Sequence, residues 1–361
     1  MKKFTLILTL VLIASLVAGC AGTPVIYYSD CTCPVGSHTQ TPVETKPVET
    51  QPQETFVPPE GALKTGLFIT TDTTGSAAGE AKFEATLVAV LVDDNGVIQA
   101  CSIDGINTSV KFGTDGVITT DLTVAPQTKN ELGDAYNMVT YGGAKAEWYV
   151  QAQALADFAV GKTVEELRNG AVDETGYAPQ GTDLASSATI YLGGYVSAIE
   201  KAVANAAHLG AQAGDELKLA CTISFGSSAS ATAEAAGNAQ MDVDVTALTM
   251  NSGVITSCAI DSVQAKVAFD ATGAIAGELT AHVATKNELG SAYGMVAWAG
   301  AIAEWNEQAA SFAAYITGKT PAEVSGIAIT ESTKPAEGSD LAASVTIAIG
   351  GFQALIAKAC G

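Results

Sequence analysis

Two threonines are the side chains on which chemistry could be done. Thr189 ends the run Asp183-Leu-Ala-Ser-Ser-Ala-Thr, and Thr346 ends Asp340-Leu-Ala-Ala-Ser-Val-Thr 157 residues later. Each is followed by a glycine pair, Gly193-Gly194 or Gly350-Gly351, and then by a helical pattern, with Tyr195, Ile199 and Val203 on one stripe in the first case. A hydroxyl just ahead of a helix N-terminus is a favourable place for a phosphate, because unpaired amides and the helix dipole meet there. The usual catalytic sets do not compete with this reading. The histidines are His38, His208 and His282, and none recurs at the 157-residue spacing. A Ser-His-Asp triad or a His-rich metal site is therefore not expected, and no phosphate-cradling loop or dinucleotide glycine fingerprint occurs. No catalytic residue and no metal ligand is assigned. Side chains with so little reactivity point to binding or to an attached cofactor.

The spacing that relates the threonines relates most of the chain. Residues 66–204 return 157 residues later, and Thr128-Lys-Asn-Glu-Leu-Gly-Asp-Ala-Tyr-Asn-Met-Val139 returns as Thr285-Lys-Asn-Glu-Leu-Gly-Ser-Ala-Tyr-Gly-Met-Val296, with 10 of 12 positions identical. A duplicated fold need keep only its apolar pattern, so polar residues kept in both copies share a job.

The elements that must position these residues can be read from the pattern. Ala85 to Val92 and Val97 to Ile103 flank Asp93-Asp-Asn-Gly96, a hairpin signal because Asn-Gly accepts positive φ; Asn251-Ser-Gly253 stands at the same place in the second copy. A second hairpin is predicted from Ser109–Phe112 to Val117–Leu122 about Gly116, and in the second copy from Ala265–Phe269 about Gly273. Ala144, Trp148, Ala152, Leu155 and Ala159 form a helical stripe, as do Ile302, Trp305, Ala309, Phe312 and Ile316, with Gly161 and Gly318 at the expected caps. Thr163 with Glu166, and Thr320 with Glu323, read as capping boxes, the second with Pro321 at the first helical position. Alternation of Ala188, Ile190 and Leu192, and of Val345, Ile347 and Ile349, predicts a last half-buried strand carrying each threonine on its less apolar face. The fold class is α+β: two tandem repeats, each an antiparallel sheet with helices, after a disordered tether.

The N-terminus is a targeting segment. Lys2 and Lys3 precede an apolar run of 14 residues, Phe4 to Val17, and Val17-Ala18-Gly19-Cys20 resembles a lipobox, which implies diacylation of Cys20. Residues 21–60 hold seven of the 11 prolines and cannot bury enough apolar surface to offset chain entropy. The organisation predicted is 1–19 signal peptide, 20–60 lipidated cysteine and tether, 61–208 first domain and 209–361 second domain. Cys31 and Cys33, within the tether, are open to a metal or redox pair, a loose disulfide or idle thiols. Cys101 and Cys258 are repeat equivalents in apolar strand patterns and read as buried thiols, whereas Cys221 and Cys360 have no counterparts. A formal net charge of −21 disfavours nucleic acid and anionic membrane surface as partners.

The motif ending in Thr189 resembles the Asp-x-x-Ser-Gly-Ala-Thr motif of FMN-binding domains, in which a flavin transferase joins FMN to the threonine by a phosphoester. With Lys-Asn-Glu-Leu-Gly and with Glu-Trp ahead of Gly-Lys-Thr, both copies look like the two-domain flavin lipoproteins of Gram-positive extracellular electron transfer, whose leader can be a pheromone source. The resemblance implies two FMN groups, on Thr189 and Thr346. It implies Asp183 and Asp340 presenting the hydroxyl near the transferase's Mg²⁺. Ser187 and Ser344 stand where the family has glycine, and Ala343 and Val345 depart from it further. Implied too are a membrane quinol-linked donor, acceptors such as ferric iron or free flavins, and a place on the outer face of the cytoplasmic membrane. Tyr136, Met138, Tyr293 and Met295 could line an isoalloxazine face or be core. Trp148 and Trp305 suit core packing. Lys129 and Lys286 could neutralise a flavin phosphate or be solvated. The competing reading is a cofactor-free extracellular lipoprotein that binds a ligand or peptide.

Overall fold

Alternation decides which side of each strand meets which layer. In the computed structural model, which describes residues 61–361, the first copy has strands β1 (Lys64–Asp72), β2 (Glu80–Val92) and β3 (Ile98–Lys111), paired antiparallel in that order. The second has β4 (Glu216–Ser224), β5 (Gly237–Asn251) and β6 (Val254–Phe269), likewise a three-stranded antiparallel sheet. Along β2, Ala81, Phe83, Ala85, Leu87 and Ala89 share a core with Met241, Val243, Val245 and Ala247 of β5. The two sheets therefore pack face to face, and Phe112 stacks on Phe269 with ring centroids 3.8 Å apart. Val88, Val90 and Val92 point the other way, into a second core with the helices of the first copy. Leu248, Ile255 and Ile260 do the same in the second. The order of layers is helices, sheet, sheet, helices, so the strands are buried on both faces and Leu87–Val92 reads as a continuous apolar run.

The helices of the first copy are α1 (Lys129–Leu132), α2 (Trp148–Ala159), α3 (Val164–Ala171), α4 (Asp183–Ser187) and α5 (Gly193–Ala204). Those of the second are α6 (Lys286–Leu289), α7 (Met295–Ala299), α8 (Trp305–Ile316), α9 (Pro321–Ser325) and α10 (Gly350–Cys360). The first hairpin forms where expected, and Ser252 and Gly253 both take the positive φ, 50° and 81°, that a two-residue turn demands. Both predicted capping boxes form, with Pro321 opening α9.

Three expectations need correction. The second hairpin closes as a turn about Gly116 and Gly273, but its return strand does not form. β3 and β6 run on as single long strands to Lys111 and Phe269, and only isolated bridges, Phe112 to Ile118 and Phe269 to Ile275, close the turns beyond. Ala144 and Ile302 fall outside α2 and α8, which open at the tryptophans. The last strand of each copy is irregular coil instead, because its backbone donors are taken by a side chain rather than a ladder.

The copies are not merely joined by the segment from His208 to Gly214. That segment lies along the start of the first copy, with Leu63 N donating to Ala211 O (2.8 Å). Thr65 Oγ1 and Ser257 Oγ share a buried hydrogen bond of 2.7 Å, and Thr73 N donates to Thr280 O at 2.9 Å. The described residues fall within a single compact unit. Cys20, the tether, Cys31, Cys33 and His38 lie outside the described residues. Among the described residues no helix is long and apolar enough to cross a membrane.

Candidate functional site

The repeated stretch Thr-Lys-Asn-Glu is a device for aiming one lysine. Thr128 N donates to Glu131 Oε2 (2.8 Å), Glu131 N donates back to Thr128 Oγ1 (3.2 Å), and this capping box closes the single turn of α1. Asn130 pins that turn to β3: its Nδ2 donates to Ile103 O (2.9 Å) and its backbone N to Asp104 Oδ1 (3.1 Å). The second copy repeats each bond with Thr285, Glu288, Asn287, Ile260 and Asp261. The lysines are what this frame presents. Lys129 Nζ lies 5.2 Å from the Tyr136 ring centroid and 4.9 Å from that of Trp148; Lys286 lies 5.3 Å from Tyr293 and 4.7 Å from Trp305. Asp104 and Asp261 escaped the sequence reading, although an aspartate recurring at 157 residues within an apolar strand was a usable signal. Burial raises both carboxyls, Asp261 to about 6.

The Glu-Trp pair divides its work. Glu147, buried as the N-cap of α2, accepts from Met138 N (2.8 Å) and Val139 N (3.0 Å), and Glu304 accepts from Met295 N (2.8 Å) and Val296 N (3.1 Å). The carboxylates fix the backbone at Met138 and at Met295, the first residue of α7, while the tryptophans pack into the helical cores. Tyr136 and Met138 pack at the edge of the first core, and Tyr293 and Met295 at the edge of the second.

The threonines are held by a residue that sequence reasoning missed. Gln151, buried on α2, accepts three bonds at Oε1: from Thr189 N (2.7 Å), Thr189 Oγ1 (3.1 Å) and Ile190 N (3.1 Å). Gln308 on α8 accepts the same three from Thr346 N (2.7 Å), Thr346 Oγ1 (3.2 Å) and Ile347 N (3.2 Å). Each glutamine is anchored in turn through Nε2, to Ala146 O or Ala303 O. These bonds replace the ladder that a strand would have used, which is why the segment is coil. Thr189 is exposed and Thr346 half-buried. Asp183 opens α4 and Asp340 opens a 3₁₀ turn, both exposed. Ser187 Oγ donates to Asp183 O (3.2 Å) and Ser344 Oγ to Leu341 O (3.5 Å), so both serines close their own turns.

A cavity of about 630 Å³ opens on the outer face of the first sheet, where helices leave the strand ends uncovered. Lys129, Tyr136, Met138 and Trp148 line it, and so does Ile190, the residue after Thr189. Three of the residues proposed from sequence, Lys129, Tyr136 and Met138, are thus brought to one cavity with Trp148; Thr189, Asp183 and Ser187 are not among its lining. A second cavity, about 580 Å³, borders Ser186 and Ser187.

Comparison with family models, curated proteins and solved structures gives no match.

The lining of the first-copy cavity fits a flavin ring system. The cavity lies within the range of cofactor pockets. Its indole, phenol and thioether walls suit a flat ring system, and Lys129 supplies positive charge. In the second copy the strand register puts Asp244, paired with Ser262, where Thr86 pairs with Gly105, and Ala220 where Phe68 stands. Burial raises the Asp244 carboxyl and lowers the Lys286 ammonium, each opposed by the other's charge. The four cysteines among the described residues are free thiols. Burial pushes Cys101, Cys221 and Cys258 up to about 12, which leaves little thiolate at neutral pH.

Proposed function

We propose that this chain is a lipid-anchored extracellular flavoprotein that carries electrons from a membrane quinol pool to acceptors such as ferric iron or free flavins. FMN would be joined by phosphoester to Thr189 and Thr346. The observation that carries the reading is the twin cradle: one threonine per copy, on coil ahead of a helix, bound through three identical bonds to a buried glutamine.

FMN, when bound, supplies the redox chemistry. The chain's residues do the rest. Gln151 and Gln308 fix the backbone on both sides of each threonine Cα, so the hydroxyl keeps one orientation. Exposure of Thr189 on coil leaves it open to a flavin transferase, and Asp183 or Asp340, six residues upstream, offers a carboxylate to the transferase's Mg²⁺. Trp148, Tyr136 and Met138 exclude water from one side of the cavity, and Lys129 offsets negative charge there. Cys20 and the tether provide attachment to the outer face of a membrane.

The test is to purify the chain after coexpression with a flavin transferase, denature it and pass it through a desalting column. A visible flavin spectrum that stays with the unfolded polypeptide supports the proposal. A colourless polypeptide defeats it in favour of a cofactor-free binding lipoprotein.

A further inference from the structure

The first-copy cavity is less negative than the chain as a whole: Lys129 and Lys201 line it together with Asp72 and Glu84. Formal net charge is −21, yet two lysines converge on this cavity, and among the described residues each ammonium lies over aromatic rings. Lys129 lies against Tyr136 and Trp148, and Lys201, reaching in from α5, lies 4.6 Å from the Phe68 ring centroid. Of the two acids in the lining, one is charge-paired and the other is held by neutral donors. Glu84 pairs with Lys82 (2.5 Å), and Asp72 Oδ1 accepts from Thr74 N and Thr74 Oγ1, both at 2.6 Å.

Lys201 faces the cavity because of an asymmetry between the copies. Its repeat equivalent, Lys358 on α10, reaches across and pairs with Glu131 of α1. The reciprocal partner for Lys201 would be Glu288, but His282 Nε2 already binds Glu288 Oε2 at 2.9 Å. The same histidine stacks on Phe68, with centroids 6.0 Å apart. Segment 281–282 of the second copy thus occupies Glu288 and braces the ring under Lys201.

Two cations that, among the described residues, lie over π faces, in a cavity walled by indole and phenol, suit a planar aromatic anion. Such a ligand offers both a charge-assisted partner and a stacking surface. We infer that this cavity binds flavin mononucleotide, as a planar aromatic anion, reversibly and independently of covalent attachment, with Lys201 as the residue that pairs with its phosphate. The choice of ligand rests on the flavin reading above; the preference for an anion rests on Lys129 and Lys201 alone.

The test uses the full chain made without a flavin transferase, titrated calorimetrically with FMN and with riboflavin, which shares the ring system and lacks the phosphate. At low salt FMN is expected to bind roughly tenfold tighter than riboflavin, with the gap narrowing as salt is added. Lys201→Gln should close the gap and Lys201→Arg should keep it. Lys266→Ala, at an exposed lysine of β6, should leave it intact. The ratio is read within each variant, so a partly unfolded variant lowers both affinities and leaves the ratio as a valid measure. Equal binding of the two probes, no FMN binding, or an unchanged ratio in Lys201→Gln overturns the inference. A chain that prefers FMN but takes up no flavin covalently defeats the flavoprotein proposal and not this one. A flavinylated chain without the preference does the reverse.

Discussion

The two copies keep the same frame and change what surrounds it. Capping box, pinned lysine, carboxylate-held methionine amide and glutamine-bound threonine recur with hydrogen bonds that agree to about 0.1 Å. The surroundings diverge. In the first copy Trp148 Nε1 donates to Tyr195 Oη (3.0 Å), whereas in the second Trp305 meets Phe352 edge-on at 5.9 Å. Thr86 and Phe68 on the first sheet give way to Asp244 and Ala220 on the second. Lys201 faces a cavity, and Lys358 is committed to an inter-copy ion pair. What a duplication retains is the machinery that orients a threonine and a lysine. What it releases is the wall around them.

The comparison is broken most forcefully at the shared frame. Gln151→Leu strands three donors in the first copy, and Gln308→Leu does so in the second. Each substitution is expected to cost about 3–5 kcal/mol in denaturant unfolding, by similar amounts in the two copies. A large inequality would mean that the two cradles are not equivalent.

Next in size is the buried carboxylate of the second copy. Asp261 has a folded-state value near 6 against an ordinary 3.8, so the folded chain holds more protons than the unfolded one between those limits. Stability is therefore expected to fall as pH rises from 3.8 to about 6, by at most on the order of 3 kcal/mol from this group. Asp261→Asn should flatten that part of the profile. An identical slope in the variant would remove Asp261 from the account.

Smaller effects sharpen the divergent wall. Tyr195→Phe gives the first copy the second copy's residue and removes the bond to Trp148, at an expected cost of about 1 kcal/mol, read by thermal unfolding. Phe352→Tyr in the second copy should not return a like gain unless its hydroxyl finds Trp305. Smallest of all, Lys358→Ala breaks a partly exposed pair with Glu131 and is expected to cost under about 1 kcal/mol.

Much of this was legible in the sequence, for identifiable reasons. Turn chemistry at Asn95-Gly96 and Ser252-Gly253, the capping boxes at Thr163 and Thr320, and the stripes through Trp148 and Trp305 are local signals, and each formed. The threonine segment misled because its alternation mimics a strand. Ala188 and Leu192, like Val345 and Ile349, turn inward from coil while a glutamine 38 residues upstream takes the amides between them. Gln151 and Gln308 were visible all the same: a polar residue on the core face of a helix, kept in both copies, needs a buried partner. Thr128, Asn130 and Glu131 were correctly singled out as doing a job, but the job is architectural. Only tertiary contact with Asp104 reveals it.

The central claim is that two equivalent threonines accept flavin, and intact mass addresses it most directly. After coexpression with a flavin transferase, the full chain is expected to carry two FMN-phosphoryl additions. Thr189→Ala and Thr346→Ala should each carry one, and the double variant none. An unmodified wild-type chain, or additions that persist in the double variant, would contradict it.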